Sequence, residues 1–174
     1  MTEREKNALA ELGRRRLPAW EELPDLALYM DQVLSLTARY LPGGEGKALT
    51  AAMVNNYVKQ KVLPPPVSKR YDRSHIAALL MLCILKSIMP IADIQRLFQS
   101  AGDDGIQALY EEFRSVYSQA NQLVARQLTA LSQEGRSRFL FAALGSQAAQ
   151  ELAAALLPAP AEESRRIKGK EQER

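Results

Sequence analysis

The chain has 174 residues, 47% of them hydrophobic, which is enough for one packed core and too apolar for a disordered polymer. A single cysteine excludes an internal disulfide and a multi-cysteine zinc site. The net charge is only +3, but residues 49–73 hold five basic side chains and one acidic, so the excess is local.

Residues 1–16 are polar and charged, with no apolar signal-peptide core. They read as a flexible arm with a short helix around Lys6 to Leu12. Pro18 and Pro24 bracket Trp20 to Leu23, an expected turn or single helical turn. Asp25 is placed to cap a helix running to about Leu41, with Leu26, Tyr29, Met30, Val33, Leu36 and Tyr40 on one face. Pro42-Gly43-Gly44 ends it and opens a loop to Lys47.

Thr50 is a good N-cap for the next helix. Its inner stripe is Met53, Val54, Tyr57 and Val58, which leaves Asn55, Asn56, Lys59 and Gln60 outward. Pro64-Pro65-Pro66 removes three backbone donors and forbids further helix. Residues 64 to 71 are therefore extended or turned, at most a small β-wing. Asp72 or Ser74 caps a strongly apolar helix from His75 to about Ile88, the expected central core element.

Pro90 starts a short helix with Ile91, Ile94, Leu97 and Phe98 inward. The Gly102-Asp103-Asp104-Gly105 cluster marks the clearest internal boundary. Beyond it, Ile106, Tyr110, Phe113, Tyr117, Ala120, Val124 and Leu131 lie near a seven-residue repeat, widened by Leu109, Val116 and Leu123. That helix runs to about Ser132 and packs on its own chain or on a second copy. An alanine-rich helix follows, about Ser137 to Leu157, and Pro158 and Pro160 stop it. The predicted organisation is an arm (1–16), a first domain (17–101), a helical dimerisation or partner region (102–157) and a disordered charged tail (158–174). The fold class is all-α.

No enzyme site is expected. His75 is the only histidine, and Cys83 sits among Leu82, Ile84 and Leu85, where a thiol is usually inert. The acid pairs Glu21-Glu22, Asp103-Asp104 and Glu111-Glu112 are adjacent in sequence, so they do not face one another on a helix. Gly43 to Lys47 lacks the spacing of a phosphate-binding loop. The longest apolar run, Ile76 to Leu85, is far short of the ~20 residues of a membrane span. A soluble cytoplasmic protein without cofactor or membrane contact is the expectation.

One stretch carries a pattern with a job: LTAAMVNNYVKQKVLPPPVSKRYDRSHIAALLMLCILKSIMPIADIQRLF, from Leu49 to Phe98. It resembles the start of MerR-type regulators, in which a recognition helix leads through a Leu-Pro exit to a basic wing, a tyrosine and another helix. Thr50, Val54, Tyr57, Leu63-Pro64, Lys69, Tyr71, Ile91, Ile94 and Leu97 fall on matching positions. Asn55 stands where those proteins usually have arginine, Lys61 replaces a turn glycine, and the wing is shorter and lacks an Asn-Gly tip. LYMDQV together with the NNYVK to HIA stretch also resembles a bacterial family of unknown function, found mainly in Firmicutes.

The resemblance implies a winged helix-turn-helix that binds double-stranded DNA as a homodimer. Thr50 opens the helix whose first-turn N–H groups suit a phosphate. Asn55 and Asn56 are placed for adenine edges or phosphate oxygens, and otherwise are solvated surface amides. Lys59, Lys61, Lys69, Arg70 and Arg73 would neutralise phosphates. Tyr71 either contacts the sugar–phosphate backbone or packs the wing onto the core. The partner face would be Ile106, Tyr110, Phe113, Tyr117, Val124 and Leu131. The competing reading is a helical protein-interaction module on the same scaffold, without DNA binding.

Overall fold

The computed structural model describes residues 1–41, 48–101, 105–131 and 135–157. The loop predicted at Pro42 to Lys47, the Gly102 to Asp104 boundary, Ser132 and the predicted tail at 158–174 lie outside these residues. The described residues form seven α-helices and one 3-10 turn, with no strand longer than an isolated bridge.

Helix α1 (Glu3–Arg14) contains the short helix expected around Lys6 to Leu12 and extends it over most of the expected arm. Thr2 caps it in a reciprocal box: the Glu5 amide donates to Thr2 Oγ1 at 3.2 Å, and the Thr2 amide donates to Glu5 Oε2 at 2.7 Å. No α1 residue is fully buried, so its pattern is too polar to read as a docked helix. It docks instead through Leu9, Leu12 and Gly13, which are half-buried. Gly13 is the point of close approach to the long helix that carries Ala125: a Cβ there would stand 3.4 Å from the Ala125 methyl. A 3-10 turn, Trp20–Glu22, sits between Pro18 and Pro24, as their spacing predicts.

Helix α2 spans Met30–Tyr40 and starts five residues after the predicted cap at Asp25. The cause is tertiary. Leu28 and Tyr71 exchange two backbone hydrogen bonds of 2.8 Å, an isolated antiparallel bridge that holds the segment extended. The Tyr29 amide then donates to Gln32 Oε1 at 2.9 Å, closing the first turn. Leu26, predicted inward, is 75% exposed for the same reason. Val33 and Thr37 carry the buried face, and the Thr37 hydroxyl donates to the Val33 carbonyl at 2.9 Å.

Helix α3 (Ala51–Lys59) begins at Thr50, whose hydroxyl accepts from the Met53 amide at 3.2 Å. It ends in a Schellman turn: Val62 N–H reaches the Tyr57 carbonyl and Lys61 N–H the Val58 carbonyl, both at 3.0 Å. Lys61 occupies the left-handed position of that turn at φ 59°, where glycine is the unstrained residue.

The triple proline leads into a two-residue hairpin. Val67 and Arg70 pair across Ser68 and Lys69, whose φ angles of 51° and 60° are those of a type I′ turn. This is the minimal wing; it is built without the Asn-Gly pair that favours such turns.

Helix α4 (Arg73–Leu85) is the centre of the molecule, with nine buried residues. Asp72, not Ser74, is its cap, accepting from the His75 amide at 3.1 Å. The helix ends three residues before the predicted Ile88, which is half exposed. One side of α4, through Ala78, Leu79, Leu82 and Leu85, packs with Val33, Val54, Tyr57, Leu63, Tyr71 and Ile94. The other, through Ile76, Ala77, Leu80 and Met81, packs with Leu17, Leu23 and Tyr110. At about 1.5–3 kcal/mol per large apolar side chain removed from water, this helix supplies much of the driving force for folding.

Helix α5 (Ile91–Ser100) turns Ile94 fully inward. Helix α6 (Gly105–Ala130) lies across α1 and α4. Its Tyr110 is completely buried and donates its hydroxyl proton to the Pro18 carbonyl at 2.9 Å. Helix α7 (Arg136–Leu156) follows, and of its residues only Arg138 is buried. Arg138 Nη2 donates to the Leu131 carbonyl at 3.2 Å, and Nη1 stands 3.5 Å from Glu5 of α1.

Among the described residues α7 is the one helix long and apolar enough to cross a membrane by length and composition. Run length in the sequence misses it, because Ser146, Gln147, Gln150 and Glu151 interrupt the apolar stretch.

Candidate nucleic-acid interface

The apolar period of α3 decides which of its side chains face water. Val54 and Tyr57 point into the core, and the same turn geometry leaves Asn55, Asn56 and Lys59 on the exposed side. Thr50 is exposed as well, but its hydroxyl is committed to the Met53 amide. Its role is to start the helix.

Lys61 follows at once, exposed and strained. Its carbonyl accepts from Gln95 Nε2 of α5 at 3.3 Å, which ties the turn to the next helix. Lys69 projects from the tip of the hairpin, exposed. Lys59, Lys61 and Lys69 form no ion pair among the described residues.

The two arginines are held differently. The Arg70 guanidinium carbon lies 4.8 Å from the centre of the Tyr29 ring, and its Nη2 donates to the Tyr29 hydroxyl at 2.9 Å. Arg73 lies over Trp20 at 5.8 Å and its Nε donates to the Pro24 carbonyl at 3.4 Å. Both thus strap the segment 20–29 to the hairpin and to the start of α4. Arg70 keeps an exposed side chain; Arg73 is half-buried and serves first as a strap. Tyr29 and Trp20 are parts of this surface that sequence reasoning missed. An aromatic residue forty positions away from its arginine leaves no local signal.

Tyr71 settles on one of its two readings. It is only 4% exposed, edge-on to His75 with ring centres 5.6 Å apart, and burial raises the pKa of its phenol. It packs the hairpin onto the core and is not available to a phosphate.

His75 is buried, with Nδ1 2.7 Å from Asp72 Oδ1 and no hydrogen-bond partner on Nε2. An Nδ1–H that donates to Asp72 leaves Nε2 a bare lone pair, the cheaper of the two tautomers in an apolar interior. Burial pushes the Asp72 carboxyl up, but the hydrogen bonds from the His75 amide and ring outweigh it and hold the group below its ordinary value. Cys83 has its thiol pushed up to about 11 by burial, so it is protonated and unreactive near neutrality. Among the described residues no three His, Cys, Asp or Glu side chains converge as metal ligands.

The expected partner face on α6 is largely consumed within the chain. Ile106, Tyr110, Phe113 and Tyr117 pack against Leu17, Leu23, Ile76 and Met81. Phe113 and Tyr117 stack in parallel with ring centres 6.1 Å apart. Leu131 is half-buried at the Arg138 contact. Val124 is exposed, and so are Val116 and Leu123 on the stripe beside it. The core ends before the helix does, so its second half keeps apolar side chains in water.

These elements define an all-α domain whose helix α3 and adjoining hairpin present exposed amide and lysine groups. Residues 18–120 match the model of a family described as Domain of unknown function (DUF1836), and the chain belongs to that family. The match runs from the Pro18 turn into α6 and leaves α1 and α7 outside it. No curated protein and no solved structure matches the chain.

Proposed function

We propose that the protein is a DNA-binding regulator in which α2, α3 and the hairpin act as a MerR-like winged helix-turn-helix. The observation that carries the reading is the outward Asn55-Asn56-Lys59 face of α3, followed at once by the lysine-tipped hairpin. Asparagine amides offer a donor and an acceptor to a base edge, as adenine requires in the major groove. Lysines without ion pairs have no carboxylate partner to give up when they meet a phosphate, and each one used releases counterions. The Ser68-Lys69 turn is strained, and backbone strain concentrates where function demands a particular geometry.

The effect on transcription would follow from occupancy of a site near a promoter. The test is a titration of the protein against its own upstream region and against random duplex of equal length, at two salt concentrations. Tighter binding to the upstream duplex, weakened steeply by salt, supports a sequence-specific regulator. Absence of binding to both at low salt refutes it.

A further inference from the structure

Helix α7 keeps large apolar side chains in water: Phe141 is 53%, Leu144 62% and Leu152 60% exposed. Patches of this kind on soluble proteins mark an interaction surface. The register of the helix says what covers it. At about 100° per residue, Phe141, Leu144, Ala148, Leu152 and Ala155 fall within one stripe about 80° wide. Their positions are symmetric about Ala148, four residues to each leucine and seven to Phe141 and Ala155. A two-fold axis through Ala148 therefore lays the stripe onto itself. An antiparallel partner would set Leu144 against Leu152, and Phe141 against the small Ala155. Ala148 would meet its own copy at the centre of the stripe.

We propose that α7 is a self-association helix, pairing antiparallel with α7 of a second copy across Ala148. Isologous contacts demand a self-complementary surface, and this stripe has that property. Small residues at Ala148 and Ala155 in the stripe, with Gly145 at its flank, let two such helices approach closely. At about 1.5 Å per residue α7 is roughly 30 Å long, and one face of it buries on the order of 500 Å² per copy. The two faces together bury about 1,000 Å² in total, the size at which a specific interface begins. A lipid bilayer fits the same helix less well. Gln147, Gln150 and Glu151 lie within little more than one turn past its middle, and a carboxylate there is costly in hydrocarbon. The proposal rests on exposure and register and is independent of DNA binding.

The experiment is sedimentation velocity of the full chain at 1–100 µM by order of magnitude, the range in which weak dimers of this area form, with two sets of variants. The wild type is expected at twice the chain mass. Leu144→Glu with Leu152→Glu raises the dimer dissociation constant at least tenfold, while circular dichroism keeps its helical signal. In a Cys83→Ser background, Ala148→Cys links into a covalent dimer under mild oxidant, whereas Gln147→Cys, about 100° away around the helix, links much more slowly. A monomeric wild type, or a dimer indifferent to the glutamates, overturns the proposal. So does a monomer that floats with phosphatidylcholine–phosphatidylglycerol vesicles and loses them with the same glutamates.

Discussion

Arg70, on the hairpin, is clamped by Tyr29, at the start of α2: its guanidinium rests 4.8 Å from the ring centre and donates to the phenol oxygen at 2.9 Å. The clamp presents an exposed cation in one orientation instead of many. Freezing a long side chain before binding lowers the entropy lost on binding. Tyr29→Ala is therefore expected to weaken duplex binding about two- to fivefold, the equivalent of an exposed cation–π contact of about 0.5–1 kcal/mol. In an Arg70→Ala background the same change should have no effect. Fluorescence anisotropy over the four chains of that double-mutant cycle reads the coupling.

The α3 and hairpin residues divide by role. Lys69→Ala and Lys59→Ala are expected to weaken all duplexes alike and each reduce the salt slope by about 0.9. Asn55→Ala or Asn56→Ala should leave the slope unchanged and cost about 1–3 kcal/mol on the preferred sequence alone. A series of titrations from low to moderate salt separates the two classes.

Lys61 holds a left-handed turn that a glycine would hold without strain. Lys61→Gly is expected to stabilise the fold by about 1 kcal/mol. It should raise the urea midpoint without changing the slope of the unfolding curve. If Lys61 also contacts a phosphate, the same variant binds duplex more weakly while being more stable, an opposition that packing alone does not produce.

Asp72 links the start of α4 to pH. Its folded pKa lies below the unfolded value of about 3.9, so its stabilisation is complete above the unfolded value and is lost as pH falls below it and through the lower folded value. Urea titrations from pH 6 down to pH 3 should show this loss in the wild type and a smaller one in Asp72→Asn. Asp72→Ala, which removes the cap, should cost about 1 kcal/mol at neutral pH. Glu111 behaves in the same sense. Burial raises its carboxyl, but the Trp20 amide at 2.7 Å and Arg114 at 2.9 Å pull it below its ordinary range. Glu111→Gln should therefore remove a further part of the acid sensitivity.

Several features of the molecule follow from local chemistry and were legible in order along the chain. Thr50, Asp72 and Pro90 start helices because each supplies a missing acceptor or a preset φ. The triple proline forbids helix, and the spacing of Val54 and Tyr57 alone sends Asn55, Asn56 and Lys59 outward. The unbroken apolar run of α4 makes it the core. What the sequence did not contain is which distant surfaces meet. The start of α2 was decided by Leu28 pairing with Tyr71, and the fate of Tyr71 by the same bridge. The polar helix α1 docks through half-buried Leu9 and Leu12 at the point where Gly13 meets Ala125. Arg70 and Arg73 found Tyr29 and Trp20 across more than forty residues. The repeat on α6 was visible, but that its first half is spent on Leu17, Leu23 and Met81 depended on the packing of α4. Local propensity acts within a turn or two; faces separated by many residues are chosen by the area they bury together, and that sum exists only in the folded chain.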